Sequence, residues 1–200
     1  MEFGRVSPHE LHEIDFTLPP DPPLTMQTLQ AAKGEKPLEV HVGCAKWGRK
    51  EWLGKIYPPK TKEASFLDEY VKHFDCIELN ATFYQVYEAA TIAKWKARAA
   101  ANPDFKFCPK FSQGISHIRR LKNAEELTTR FYEGIMAFGE KLGPLFLQLS
   151  DNFTPKSIGD LHNYLAHLPN DVLVFAEVRQ KDWYASPEIK ATYFNMLYRL

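Results

Sequence analysis

Two glutamates stand where apolar strand residues are expected. Glu78 interrupts CIELN and Glu177 interrupts VFAEVR. A buried carboxylate without a partner is costly, so each needs a cation or hydrogen bonds close by. Lys110, Arg179 and Arg119 are the candidate cations. Carboxylates and cations gathered in this way can bind an anionic ligand or carry out acid–base chemistry. His117 is the one histidine in a loop after a strand with basic neighbours, and it is read as a general acid or base. The expected catalytic set is therefore Glu78, Lys110, His117 and Glu177. Trp47, Asn80, Thr82, Tyr84, Arg119, Gln148, Arg179 and Trp183 complete it as ligand contacts.

Each assignment has a structural competitor. Buried Glu–Lys and Glu–Arg pairs can simply fill a protein interior. Trp47, Trp52, Tyr84 and Trp183 could form an aromatic wall that stacks sugars or bases, or could pack as core. Arg119, Arg120 and Lys122 form a small basic patch suited to phosphate or a nucleic-acid backbone. The remaining histidines, His9, His12, His41, His73, His162 and His167, show no metal-ligand spacing, and no metal site is expected.

These residues are positioned by a repeating pattern. Short apolar strands are expected at Glu39–Cys44, Cys76–Leu79, Phe105–Cys108, Leu145–Leu149 and Val172–Val178. Such runs fit strands covered on both faces. Helices are expected at Glu63–His73, Ala89–Ala101, Ala124–Lys141, Ile158–Leu168 and Pro187–Leu200, with Ser157 and Ser186 near the starts of the last two. Strand–helix alternation implies a parallel sheet with right-handed crossovers. An open doubly wound sheet and a barrel both satisfy that pattern. The first strand is followed by Gly43-Cys44-Ala45-Lys46-Trp47-Gly48, not by a G-x-G-x-x-G phosphate fingerprint, which weakens the dinucleotide-binding alternative. In either closure the site belongs at the carboxyl ends of the strands. Four of the five ends carry polar residues.

Twenty-five basic and 25 acidic residues give zero formal net charge, so no global field draws the protein to nucleic acid or an anionic membrane. The three cysteines, Cys44, Cys76 and Cys108, lie far apart in apolar runs. They are expected to be small buried hydrophobes in a reducing cytoplasm rather than disulfide partners. Residues 1–13 do not read as a signal peptide, and no run approaches the ~18 apolar residues of a membrane span. A cytoplasmic location is therefore expected. Residues 1–38 hold Pro8, Pro19, Pro20, Pro22, Pro23 and Pro37. They are read as a proline-rich extension wrapping one domain at 39–200, with a short helix near Leu24–Ala32.

The pieces HVGCAKWGRKEWLGKIYP, YVKHFDCIELNATFYQVYEAATIAKW, DFKFCPKFSQGISHIRRL, FGEKLGPLFLQLSDNF and LVFAEVRQKDWY follow in order from about residue 39 to about 184. In this they resemble the YecE-like family, the domain of unknown function 72. The resemblance implies a TIM-type (β/α) barrel, of which this chain would supply about the first five β/α units. It implies no reaction and no cofactor. The family's recurring polar positions match Glu78, Asn80, Thr82, Phe83, Tyr84, Lys110, His117, Gln148, Glu177, Arg179 and Trp183. Lys46 stands where the family's G-T-S-G-W pattern has a small residue. Leu200 falls inside a helix pattern without a stop signal, so the natural chain is expected to continue. Five units would leave the first and fifth strands as open edges.

Three functions fit this sequence. The first is an enzyme acting on a small polar or anionic ligand, for example a phosphorylated one, at the strand ends. There Lys110 and Arg179 would stabilise an oxyanion. The second is a nucleic-acid-binding or processing module, with Arg119, Arg120 and Lys110 on phosphates and aromatic rings on bases. The third is a non-catalytic barrel whose charged pairs are structural. No residue here fixes a substrate or an oligomeric state.

Overall fold

A computed structural model describes Ser7 and residues 9–18, 20–21, 23–31, 34 and 39–200. Met1–Val40 and His41–Leu200 are separate compact units. In the first, the described residues hold a 3-10 turn at Leu11–Glu13 and helix α1 at Pro23–Ala31. Pro8, Pro19, Pro22 and Pro37 of the expected extension, Ala32 of its helix and residues 1–6 lie outside the described residues.

The second unit runs β1 (Gly43–Cys44), α2 (Phe66–Tyr70), β2 (Cys76–Leu79), α3 (Ala81–Tyr84), α4 (Ala89–Arg98), β3 (Lys106–Pro109), α5 (Glu125–Ile135), β4 (Leu145–Gln148), α6 (Ile158–Ala166), β5 (Val174–Glu177) and α7 (Pro187–Tyr198). All strand pairs are parallel. Cys44 sits opposite Ile77, Glu78 opposite Cys108 and Gln148 opposite Glu177.

The expected barrel is not what forms. The strands make two small parallel sheets, β1–β2–β3 and β4–β5, with no closed barrel among the described residues. Between β3 and β4 the ladder is reduced to single bridges, Phe107–Leu142 and Lys110–Phe146. Four-residue strands leave few ladder bonds there. Closing a barrel also requires a full set of tilted, staggered strands, and five are too few to bring the last edge back to the first.

Local chemistry sets the helix boundaries. Pro187 opens α7, and the Ser186 hydroxyl accepts from the Ile189 amide at 3.3 Å. Ser157, by contrast, makes no side-chain cap. α5 begins with Glu125 and Glu126 at its positive end and buries Phe131 and Ile135. It ends before Lys141, where the expected helix ended. From Met136 the chain tightens into a 3-10 turn whose Gly139, at φ 55°, holds a left-handed conformation that glycine adopts without strain.

Strands β2, β3 and β4 alternate strictly between two environments, and β5 does so less sharply. Ile77, Leu79, Phe107, Leu145 and Leu147 face the helices and are at most 1 % exposed. Phe66, Tyr70, Ile92, Phe111 and Phe131 pack with them in one core. The other face carries Cys76, Glu78, Cys108, Phe146, Gln148 and Glu177, all half-buried, and Phe175, which is exposed. The strands were expected to be covered on both sides. In the structure only one side is dry, and the three cysteines are half-buried rather than fully buried. Among the described residues no helix is long and apolar enough to cross a membrane.

Candidate functional site

Alternation and register bring the carboxyl-terminal residues of four strands into one polar layer on the uncovered face. The Asn80 amide donates to the Glu78 carboxylate at 3.1 Å and reaches the Ala45 carbonyl, beyond β1, at 3.3 Å. Glu78 lies 3.9 Å from the Lys110 amine. That amine donates to Gln148 Oε1 at 2.9 Å, and Gln148 Nε2 donates to Glu177 at 3.0 Å. Arg179 Nε then stands 3.5 Å from both Glu177 and Asp151. Gln148 is the pivot, because its amide accepts from the lysine through Oε1 and donates to the carboxylate through Nε2.

Lys110 is the most enclosed charged member. Its side chain is 10 % exposed, against 40 % for Glu78. The amine lies over the Phe83 ring at 5.1 Å and the Phe146 ring at 5.3 Å. Burial pushes its pKa down, partly offset by Glu78 and Glu177, while Arg179 adds to the depression. Thr82 anchors this part of the backbone, since its buried hydroxyl lies 2.8 Å from the carbonyls of both Leu79 and Lys110.

His117 sits beside the layer in a π-helical turn at Gly114–Ile118. Its ring packs edge-on to Phe83 at 5.0 Å. The Ser116 hydroxyl lies 3.1 Å from the Ser112 carbonyl and 2.8 Å from His117 Nδ1, so it orients the imidazole ring. Burial, then Lys110 and Arg179, lower the pKa of His117. His117, Ser150, Asp151, Asn152 and Arg179 line a cavity of about 380 Å³. The loop after the π-turn holds Arg120, Leu121 and Asn123 at φ 52°, 68° and 50°. That conformation is unfavourable for such side chains and persists only when its surroundings hold it. Buried Leu121 and an Arg120 bond to the Asn152 carbonyl at 2.9 Å supply that hold.

The structure thus brings together Glu78, Asn80, Lys110, Gln148, Glu177 and Arg179, with His117 adjacent. Other expected contacts lie elsewhere. Trp183 is fully buried, donates to the Phe153 carbonyl at 2.7 Å and stacks on Phe153, so it is core. Trp47 packs edge-on to Trp95. Tyr84 is exposed and meets only Phe83 among the described ring contacts. Thr82 is buried beneath the layer. Arg119 turns to the Asn123 carbonyl in its own loop at 2.7 Å, and Lys122 pairs with Asp160 at 3.2 Å. The three basic residues expected as a patch are therefore each tied to a neighbour. Among the described residues no group of three His, Cys, Asp or Glu side chains is arranged to hold a metal ion.

Sequence reasoning missed Asp151, Asn152, Phe146 and Ser116. The first two lie shortly after β4, in the SDN run that follows Leu149, and a polar run after a strand end could have flagged them. A larger cavity, about 850 Å³, lies between α5 and α6. It touches none of the polar layer, so size alone is a poor guide to the chemistry here.

A family model described as protein of unknown function DUF72 matches residues 41–200. UPF0759 protein YecE of Escherichia coli (strain K12) is 29 % identical over 153 residues, 76 % of this chain and 53 % of that protein. UPF0759 protein YunF of Bacillus subtilis (strain 168) is 26 % identical over 160 residues, 76 % of this chain and 55 % of that protein. The chain thus spans about half the length of these relatives. Crystal structures of DUF72 family proteins share the fold. One from Enterococcus faecalis V583 has a TM-score of 0.58 at 22 % identity, covering 77 % of this chain and 55 % of that one. One from Thermotoga maritima MSB8 has a TM-score of 0.58 at 20 % identity, covering 80 % and 61 %.

Proposed function

This chain belongs to the DUF72 family of proteins of unknown function, and on that footing we propose that its polar layer binds, and acts on, a small hydroxylated ligand. The observation that carries the reading is the unbroken run Asn80–Glu78–Lys110–Gln148–Glu177–Arg179–Asp151 with both glutamates left about 40 % exposed.

A purely structural cluster would be dry and tightly paired. Here the Lys110–Glu78 separation is 3.9 Å and the carboxylates meet solvent. Such loose pairing returns little of the desolvation cost of Lys110. Residues that lower stability without an evident structural return concentrate at functional sites. The strained loop and π-turn beside the layer support the same reading.

The charge balance favours hydroxyl over phosphate. Glu78, Glu177 and Asp151 face two cations, Lys110 and Arg179, and both cations already have carboxylate neighbours. Amides, carboxylates and a lysine beside the rings of Phe83 and Phe146 match the alternating donors and acceptors of a polyol or sugar. The nucleic-acid reading is less favoured, because Arg119, Arg120 and Lys122 are held by their own neighbours.

Thermal-shift measurement against polyols, aldoses, sugar phosphates and oligonucleotides tests this. Stabilisation by polyols or aldoses that is lost in Glu78→Gln and Glu177→Gln is the expected result. Hits confined to sugar phosphates or oligonucleotides, or unaffected by both substitutions, overturn it.

A further inference from the structure

Among the described residues two lysines are deeply enclosed, with different surroundings. Lys141, 5 % exposed, donates to the carbonyls of Asn102 at 2.6 Å and Pro103 at 3.1 Å. Its protons hold a turn together. Lys110, 8 % exposed, has a single described hydrogen bond, to the neutral oxygen of Gln148, and its carboxylate neighbour stands off at 3.9 Å. Phe83 and Phe146 wall it on two sides. An amine in that setting is held in place without being locked in an ion pair.

We propose that Lys110 is a carbonyl-capturing nucleophile, its ε-amine condensing with the aldehyde or ketone of a small hydroxylated compound seated in the polar layer. This rests on the ligand reading above and names the substrate class. Four features support it. Desolvation favours the neutral amine, the form that attacks. The two aromatic rings keep water from the new C=N bond. Glu78, 3.9 Å from the amine, is the carboxylate placed to relay its protons. Asn80 on Glu78, and Glu177 and Arg179 beyond Gln148, extend the layer on either side of the amine with groups that can hold the hydroxyls of such a compound.

The step balances without an oxidant or cofactor. The Nζ lone pair attacks the carbonyl carbon, a C–N bond forms, and the C=O π pair moves onto oxygen. The two amine protons pass by way of Glu78 to that oxygen. It leaves as water while the nitrogen lone pair closes the C=N bond. The lysine imine polarises the neighbouring C–H and C–C bonds, which makes proton abstraction or carbon–carbon cleavage the class of reaction that would follow.

The test treats the full 200-residue chain with glycolaldehyde and sodium cyanoborohydride, which reduces an imine to a stable amine, and maps modified lysines by peptide mass spectrometry. Lys110 is expected to be hydroxyethylated about tenfold faster than Lys141 or exposed Lys55. Glu78→Gln should slow labelling at Lys110 on the order of tenfold or more while leaving Lys55 unchanged. Lys110→Arg, which keeps the charge but removes the primary amine, should lose the label at position 110 while Lys55 is labelled as before. Labelling at Lys110 no faster than at Lys141 or Lys55 overturns the proposal, as does selective labelling that Glu78→Gln leaves unchanged. Because the polyol shift needs no imine, it judges the ligand reading separately.

Discussion

The amino and carboxyl ends of these short strands are both rich in charge, and they use it differently. At the amino end Lys141 donates to two main-chain carbonyls, Lys106 donates to the carbonyl of Glu140 at 2.8 Å, and Lys96 pairs with the Glu140 carboxylate at 2.9 Å. Backbone acceptors are fixed by the fold, so these contacts are part of it. At the carboxyl end Lys110, Gln148, Glu177 and Arg179 interact mainly with other side chains, and the two glutamates remain open to solvent. A side chain that satisfies another side chain can exchange it for a ligand group. One that satisfies a buried carbonyl cannot leave without a stability cost.

The strongest test of this contrast is to remove each lysine in turn. Lys141→Met should cost about 2 kcal/mol, because carbonyls in a tight turn lose their donor. Lys110→Met should change stability by less than about 1 kcal/mol in either direction, since it replaces a poorly paired buried amine by an apolar chain of similar volume. Urea denaturation midpoints at constant m-value would measure both. Equal losses would make the carboxyl-end cluster as structural as the other and remove the basis for a site.

Titration separates the two ends by pH. His117 has an ordinary pKa of 6.5, lowered in the folded protein by burial and by Lys110 and Arg179. The unfolded chain therefore binds a proton that the native state refuses. Stability should fall as pH drops from 6.5 towards the lower native value, then level off. At the other end the Lys96 hydrogen bond lowers Glu140 from 4.5. Its contribution is complete above 4.5 and is lost as pH falls through its native value. Thermal melts between pH 7 and pH 3 should show two stretches of declining Tm. His117→Asn should flatten the upper one, and Glu140→Gln should make the lower slightly shallower, because Asp68, held down by Arg98, also titrates there. A single decline that His117→Asn leaves intact would contradict the enclosed, neutral histidine.

How much of this was legible in the sequence depended on which neighbours a residue needed. Glu78 and Glu177 stood out because a carboxylate inside an apolar run is locally anomalous, and Lys110 and Arg179 followed as partners near strand ends. Parallel pairing followed from strand–helix alternation. Trp183 misled because tryptophan is equally suited to a pocket wall and a core, and only the Phe153 carbonyl, 30 residues away, decides between them. Arg119 misled because its partner is a carbonyl in its own loop. The barrel misled because strand closure depends on the number and stagger of all the strands, which no individual segment encodes. The exposed face of β5 was invisible for a related reason: VLVFAEV is apolar enough for two covered sides, and the structure covers one.

The smallest effect is expected at the rim. Asp151 is 69 % exposed and stands 3.5 Å from Arg179, which also neighbours Glu177 at the same distance. An exposed pair of this kind contributes at most a few tenths of a kcal/mol, and salt screens it. Asp151→Asn should therefore leave the denaturation midpoint within about 0.5 kcal/mol of wild type. If the carboxyl end is a site, the same change should still weaken stabilisation by polyols, because it alters the charge facing the cavity shared with His117 and Arg179. A variant stable but poorer at binding would separate function from folding at one residue. A variant that binds as wild type does would move the ligand away from the Asp151 side, towards Glu78 and Asn80.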